Sequence, residues 1–223
     1  MDFYYLKRSL LFQGCTEEQI NMMLTCFDAK MRSYQKNEII RPAGRNVTTI
    51  GLILEGNVRV QHTDPWGNVS IVTFAEVGKT IGEAYACAPS RPLMVDIVAN
   101  TDCTIVFMNA HKMMHRCPKR CECHLRVSTN LTELIAVRNL ELARHGYIAT
   151  KKSTRQKVIA YLSLMATERG SLEFDIPYNR EQLTSYLGVD RSALSAELSR
   201  MKKAGIIDYR KNHFILNEQG EVI

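Results

Sequence analysis

The chain has 223 residues, 45% hydrophobic and 23% charged, which is too apolar for a disordered polypeptide and long enough for two modest domains. Lysine and arginine total 29 against 23 acidic residues, and the resulting charge of +6 is too mild by itself to name nucleic acid as the partner. No stretch approaches the roughly 20 apolar residues that a bilayer crossing needs. The N-terminal run Met1-Asp2-Phe3-Tyr4-Tyr5-Leu6-Lys7-Arg8 places its basic pair after its aromatic residues, the wrong order for a secretory signal, so a cytoplasmic location is expected. The seven cysteines are an odd number and argue against a disulfide framework.

Helical spacing opens the chain: Leu10, Leu11 and Phe12, then Ile20, Met23, Leu24 and Phe27, with Thr16 and Gln19 at capping-box spacing. From about residue 32 the pattern changes to short apolar runs at 38–40, 50–54, 58–61, 69–74, 94–99 and 103–108. These runs are punctuated by Pro42, Gly44, Gly56-Asn57, Gly78, Gly82 and the turn Asp64-Pro65-Trp66-Gly67-Asn68. Many short strands with turn residues between them predict a barrel or sandwich. From 116 to 145 glycine and proline almost vanish, and Val127, Leu131, Leu134, Ile135 and Leu142 recur at three- and four-residue steps. The helix this predicts would be roughly 40 Å long at ~1.5 Å per residue. Such a helix packs along the barrel, pairs with a second copy, or does both. Arg138 and Glu141 interrupt a strict heptad, so a short seam is expected rather than a continuous zipper.

Residues 146–149 read as a hinge, and Ser153 with Gln156 repeats the capping-box spacing before Val158, Ile159, Tyr161, Leu162 and Met165. Basic residues gather on the approach to this point, among them Arg116, Lys119, Arg120, Arg126, Arg138, Arg144, Lys151, Lys152, Arg155 and Lys157. Only Glu122, Glu133 and Glu141 oppose them. That balance fits a phosphate-facing surface or a solvated helix face. The organisation expected is a sensor half at 1–115, a dimerisation helix and hinge at 116–149, and a C-terminal domain at 150–223.

The segment 178–201 carries the strongest signal. It reads as a short helix, a turn at Gly188, and a second helix capped by Asp190; glycine suits the left-handed backbone such a turn needs. Leu183, Leu187, Val189, Leu194, Leu198 and Met201 make one packing face. Arg191, Ser192, Ser195, Glu197, Ser199 and Arg200 lie elsewhere on the second helix, short or forked polar side chains of the kind that reach base edges and phosphates. Gly205 ends that helix, and two strands flanking Arg210-Lys211-Asn212 make a basic wing that would touch the DNA backbone. The bland alternative is a helical hairpin that contacts only protein.

With these motifs in order, nearly the whole chain resembles the Crp/Fnr superfamily of bacterial regulators. The resemblance rests on the segment 53–60, on Gly67-Asn68, on Gly82-Glu83 after Gly78, and on the helix-turn-helix. It implies an α+β protein: an N-terminal β-roll (double-stranded β-helix), a long dimerisation helix, and a C-terminal winged helix-turn-helix. The implied partners are a second copy, a palindromic double-stranded DNA site and RNA polymerase. By family position Arg191, Ser192, Ser195 and Ala196 would face base edges, with Arg180 and Thr154 near phosphates. Asp190, Arg200 and Lys211 complete the DNA-facing candidates. Ala196 departs from the arginine many members carry there, which leaves the base preference at that position open.

The resemblance also frames the sensor. In cyclic-AMP-binding members Gly-Glu begins a short helix that cradles the phosphate, and an Arg-Ser pair neutralises it. Here Gly82 and Glu83 are kept, but the Arg-Ser positions fall on Leu93 and Met94, and Leu142 and Ala143 replace the Thr-Ser pair that meets the base. A buried phosphate without its cation is strongly disfavoured, so cyclic AMP is not the expected effector. The candidate pocket residues are Gly82, Glu83, Tyr85 and Arg91, for an unknown small molecule. Oxygen-sensing members hold an iron–sulfur cluster with N-terminal cysteines, where this chain has only Cys15 and Cys26. Cys117, Cys121 and His124, with Cys123 beside them, would share a helix face at i, i+4 and i+7. Thiolate and imidazole suit zinc or iron, yet the spacing matches no standard motif and the cofactor expectation is unknown, with no metal assigned. The basic neighbours would lower a thiol pKa, which keeps a redox role open. No nucleophile elbow, phosphate loop or carboxylate pair is present in the sequence, and no enzymatic activity is expected.

Overall fold

The computed structural model describes residues 4–115 and 121–217. Contact density divides the chain into two units, Met1–Val137 and Arg138–Ile223.

The first unit opens with helix α1 (Tyr4–Arg8), a 3-10 turn (Leu10–Phe12) and helix α2 (Glu17–Cys26). The capping box read from the sequence forms: Thr16 Oγ1 accepts from the Gln19 amide (3.2 Å) and Gln19 Oε1 from the Thr16 amide (3.0 Å). Eight strands follow: β1 (Lys30–Tyr34), β2 (Ile39–Arg41), β3 (Thr49–Glu55), β4 (Val58–Thr63), β5 (Val69–Ala75), β6 (Thr80–Ile81), β7 (Asp96–Ala99) and β8 (Cys103–Asn109). Helix α3 (Glu83–Cys87) interrupts them after β6, and α4 (Ala110–Met114) closes the roll. The strands make two antiparallel four-stranded sheets, β1-β8-β3-β6 and β2-β7-β4-β5. This is the β-roll the sequence predicts.

Two strands escaped the sequence reading. β6 is two residues long, and β1 pairs at an edge with no buried residue, so neither carries the apolar alternation that marks a strand. The core is densest where β3 and β8 pair, with Ile50, Leu52, Ile53, Ile105, Val106 and Met108 excluded from water. Helix α2 adds Ile20 and Met23, and the long helix α5 (Glu122–Ala149) adds Val127 and Leu131. Each such aliphatic side chain contributes about 1.5–3 kcal/mol on burial. Polar ties fix the register of α5 on this unit. Asn130 Nδ2 donates to the carbonyls of Leu11 (3.1 Å) and Gln13 (2.9 Å), and Ser128 Oγ donates to that of Met113.

One expectation needs correction: 146–149 is helical, not a hinge. α5 runs through Gly146 because Ile148 is buried in the core of the second unit and anchors that turn, and the helix ends where the Thr150 hydroxyl donates to the Tyr147 carbonyl (2.7 Å).

Candidate nucleic-acid interface

The second unit is a small helical domain closed by a three-stranded sheet. Its elements are α6 (Thr154–Arg169), β9 (Glu173–Asp175), α7 (Arg180–Leu187), α8 (Arg191–Lys203), β10 (Ile207–Arg210) and β11 (His213–Leu216), with sheet order β10-β11-β9. Ser153 caps α6 by accepting from the Gln156 amide (3.2 Å), while Gln156 Oε1 reaches the Lys152 amide (3.2 Å) instead of closing the full box. A complete box forms one helix later. Asn179 Oδ1 accepts from the Gln182 amide and Gln182 Oε1 from the Asn179 amide, both at 2.9 Å. That Asn-x-x-Gln spacing was available in the sequence as a start signal.

Gly188 ends α7 in the left-handed region (φ 58°, ψ 52°), and Lys157 Nζ donates to the carbonyls of Leu187 (3.0 Å) and Gly188 (3.2 Å), tying the turn to α6. Asp190 occupies the N-cap position of α8 in extended backbone, but its carboxylate makes no cap hydrogen bond. The following helix divides sharply. At 100° per residue Leu194, Leu198 and Met201 fall on one side, and all three are at most 1% exposed. Arg191, Ser192, Ser195, Ala196, Ser199 and Arg200 are exposed. The interface candidates on α8 therefore share one arc, and its middle is lined by serine hydroxyls and a methyl group.

Glu197 does not belong to that arc. It falls on the same side as Leu194 and Met201, at the border next to Arg200, is 6% exposed, and binds Arg200 Nη1 at 2.9 Å. The sequence reading grouped it with the polar face because its charge argued for water, whereas its helical position put it inside. The ion pair leaves the Arg200 side chain 70% exposed but partly neutralised.

Arg180 begins α7 with its guanidinium over the Tyr209 ring at 5.3 Å, which joins the start of α7 to strand β10. Burial holds its pKa below the ordinary arginine value, and its Nη1 is buried without a hydrogen-bond partner. Lys211 stands at the tip of the β10–β11 hairpin with φ 56°, an uncommon conformation for a non-glycine residue, and is exposed beside Asn212. Thr154 is partly buried at the start of α6. Strand β9 was not foreseen. It pairs with β11 so that His213 lies between Asp175 (Nδ1···Oδ1 3.1 Å) and Glu173 (Nε2···Oε1 3.1 Å). Behind the helices, Tyr161, Tyr178 and Tyr186 cluster with ring centroids 5.0–6.2 Å apart.

In the first unit, Gly82 precedes α3, Glu83 is 4% exposed, Tyr85 packs against the core, and Arg91 is exposed. Leu93, at the position where cyclic-AMP binders carry arginine, is 2% exposed within the apolar core, while Met94 is 75% exposed. Of the cysteine group, Cys117 lies outside the described residues. Cys121 stands immediately before α5, Cys123 is buried in the core, and His124 points its Nδ1 at Cys26 Sγ (3.8 Å) with its ring edge-on to Phe27. Among the described residues no three histidine, cysteine or acidic side chains converge as a metal site.

Comparison with known proteins matches both units. Residues 31–118 match the cyclic nucleotide-binding domain family, and residues 156–220 match the Crp-like helix-turn-helix domain family. The chain is 24% identical over 202 residues to the transcriptional activator protein FnrL of Cereibacter sphaeroides, covering 84% of this chain and 76% of that one. It is 22% identical over 199 residues to electron transport regulator A of Shewanella oneidensis, covering 86% of this chain and 77% of that one. In fold it is similar to the catabolite activator protein of Thermus thermophilus (TM-score 0.51, 21% identity, 94% of each chain). It is also similar in fold to the c-di-GMP-responsive global regulator of Xanthomonas campestris (TM-score 0.53, 14% identity, 92% of this chain and 100% of that one).

Proposed function

The chain belongs to the Crp/Fnr family of transcription regulators with a helix-turn-helix DNA-binding domain, and from that premise we propose that it works as a homodimer reading a palindromic duplex through α8 of each copy. The observation that carries this reading is the division of α8. Its inner side is apolar and closed, and its outer side offers Arg191, Ser192, Ser195, Ala196 and Ser199, slim enough for a major groove about 12 Å wide. Arg180 and Lys211 flank it as phosphate ligands, Lys211 from the exposed tip of the β10–β11 hairpin.

Dimerisation is supported by the second face of α5. Leu125, Thr129, Thr132, Ala136, Leu140 and Ala143 recur at steps of four and three, are all exposed, and lie opposite the buried Val127 and Leu131. Small and aliphatic residues at this spacing suit a helix–helix seam between two copies. Two such copies would set their recognition helices one DNA turn apart. RNA polymerase is the further partner this role requires, and the cytoplasm is where its target DNA lies. Among the described residues no helix is long and apolar enough to cross a membrane. The relatives are regulators, and we assign no catalysis to this chain.

The signal is a small molecule or a redox change, and not cyclic AMP, because Leu93 puts an isobutyl group in the core where a phosphate would need a cation. Fluorescence anisotropy on genomic duplexes tests the whole reading. Affinity for a specific site should fall steeply between low and physiological salt. Arg191→Ala should cost about 1–3 kcal/mol on that site by losing a base contact, whereas Lys211→Ala should weaken all sequences alike. Salt-independent binding, or a monomer at micromolar concentration, would refute it.

A further inference from the structure

The sensor unit contains an open cavity of about 240 Å³ whose charged lining is entirely basic: Lys30, Arg32 and Arg41. Lys30 and Arg32 are two apart on β1, so both side chains leave the same face of the sheet, and the register sets Lys30 opposite Phe107 of β8. Arg41 arrives from the end of β2 and is held on two sides. Its Nη2 donates to Thr49 Oγ1 at 2.6 Å, and its guanidinium lies 4.6 Å from the centre of the Phe107 ring. Phe107 is itself 6% exposed, and Tyr34 meets it edge-on at 6.3 Å, so the floor under Arg41 is rigid. The remaining wall is mostly polar, with Asn46 and Thr48 beside Thr49 and one aliphatic residue, Val47. None of Gly82, Glu83, Tyr85 and Arg91 lines this cavity.

Among the described residues none of the three cations has a carboxylate within ion-pair distance. Elsewhere on this unit surface cations do find acids: Lys7 pairs with Glu17, and Lys112 with Asp28. Like charges gathered on one concavity repel each other, and partial burial deprives Arg41 of water. Burial draws the Arg41 guanidinium below its ordinary pKa; Tyr34 opposes this, and the neighbouring Arg32 adds a smaller downward push. An anion in the cavity relieves both penalties together. A guanidinium already fixed by a ring and a hydroxyl offers its free edge as a fork, the geometry that pairs two-to-two with phosphoryl or carboxylate oxygens.

We propose that the cavity bounded by Lys30, Arg32 and Arg41 is a binding site for a compact multivalent oxyanion, a small phosphorylated or polycarboxylate molecule. Its volume falls below the roughly 300–1,000 Å³ of drug-sized pockets, which limits the occupant to a small molecule. Arg41 supplies the bidentate contact, Lys30 and Arg32 supply mobile charge from β1, and the hydroxyls of Thr48 and Thr49 complete the shell. A ligand held here ties β1 and β2, which belong to different sheets of the roll.

The test is isothermal titration of the full chain in low-salt, phosphate-free buffer with inorganic pyrophosphate in one arm and citrate in the other, against sodium chloride of equal ionic strength. One saturable site per chain is expected for at least one of the two anions, and the stronger arm identifies the oxyanion class. Arg41→Gln should weaken that binding about ten-fold or more, by removing the charge-assisted fork. The Lys30→Gln/Arg32→Gln double variant, at exposed positions that do not endanger folding, should do the same, and Lys79→Gln should change nothing. Heat no larger than the chloride control, or unchanged affinity in the double variant, overturns the proposal. Capture of an acidic protein by this face with no response to either anion overturns it as well.

Discussion

Replacing Gly188 by alanine isolates the conformational cost of the turn between α7 and α8. The residue sits at φ 58°, ψ 52°, where an L side chain with a Cβ pays about 1–2 kcal/mol in backbone strain. Space adds nothing to that cost, since the nearest atom to the new Cβ is the flexible Lys157 Nζ at 3.8 Å. The expected loss is therefore about 1–2 kcal/mol. With a urea slope near 1.5 kcal/mol/M it moves the midpoint down by roughly 0.7–1.3 M. Amide-resolved NMR of α7 and α8 during the urea titration follows this unit selectively. Two companions sharpen the reasoning. Gly188→Asn should lose only part as much, because asparagine tolerates the left-handed region. Gly56→Ala, at φ 73°, should lose far more, because its Cβ would stand 2.1 Å from the Asp102 carbonyl oxygen, a backbone atom that cannot rotate aside. If Gly188→Ala is neutral, or if asparagine costs as much as alanine there, backbone strain is not what selects glycine at this turn.

Three further outcomes follow from the second unit. Among the described residues the buried Tyr161 hydroxyl has no hydrogen-bond partner, and burial, reinforced by Tyr178 and Tyr186, pushes its pKa far above the ordinary tyrosine value. Tyr161→Phe should therefore leave stability unchanged or raise it by about 1 kcal/mol, and a comparable loss in the urea transition would contradict the orphaned hydroxyl. Hydrogen bonding to Asp175 raises the His213 pKa; burial opposes it, and the hydrogen bond to Glu173 adds a smaller upward push. The imidazolium's contribution is fully present below about pH 6.5 and is lost as pH rises through the raised folded value. Amide protection factors in β9 and β11, taken relative to the intrinsic exchange rate at each pH, should accordingly be larger at the acid end of that window, and Asp175→Asn should lower the histidine's NMR titration midpoint. Leu198→Ala removes a fully buried side chain from α8 and should cost about 2–5 kcal/mol by urea melting, whereas Ser199→Ala on the outer face should stay within about 0.5 kcal/mol.

Much of this architecture is written locally. The Thr16–Gln19 box, the turn at Asp64, and the break at Gly188 are short-range chemistry, and each forms where the residues place it. The DNA-binding reading likewise needed only the cap, the turn glycine, the packing and polar faces of the second helix and the basic wing, all within one stretch of chain. The elements that escaped, β1, β6 and β9, are short edge or connecting strands. Their partners lie far along the chain (Lys30 with Phe107, Gly51 with Ile81, Phe174 with Phe214), so no local periodicity marks them.

Three features depended on tertiary contacts. Glu197 is inside because its helical angle falls on the same side as Leu194 and Met201, at the border next to Arg200, which makes that burial tolerable. Residues 146–149 stay helical because Ile148 finds a core to enter, which outweighs the glycine two residues before it. The cluster of Lys30, Arg32 and Arg41 exists only once β1, β2 and β8 come together, since eleven chain positions separate Arg41 from Lys30, nine from Arg32 and sixty-six from Phe107. The sequence by itself determined the main helices, the strands with apolar runs and the turns, because those preferences act over a few residues. Where charges gather and which polar side chains lose water depends on contacts between distant segments, and that only the folded chain decided.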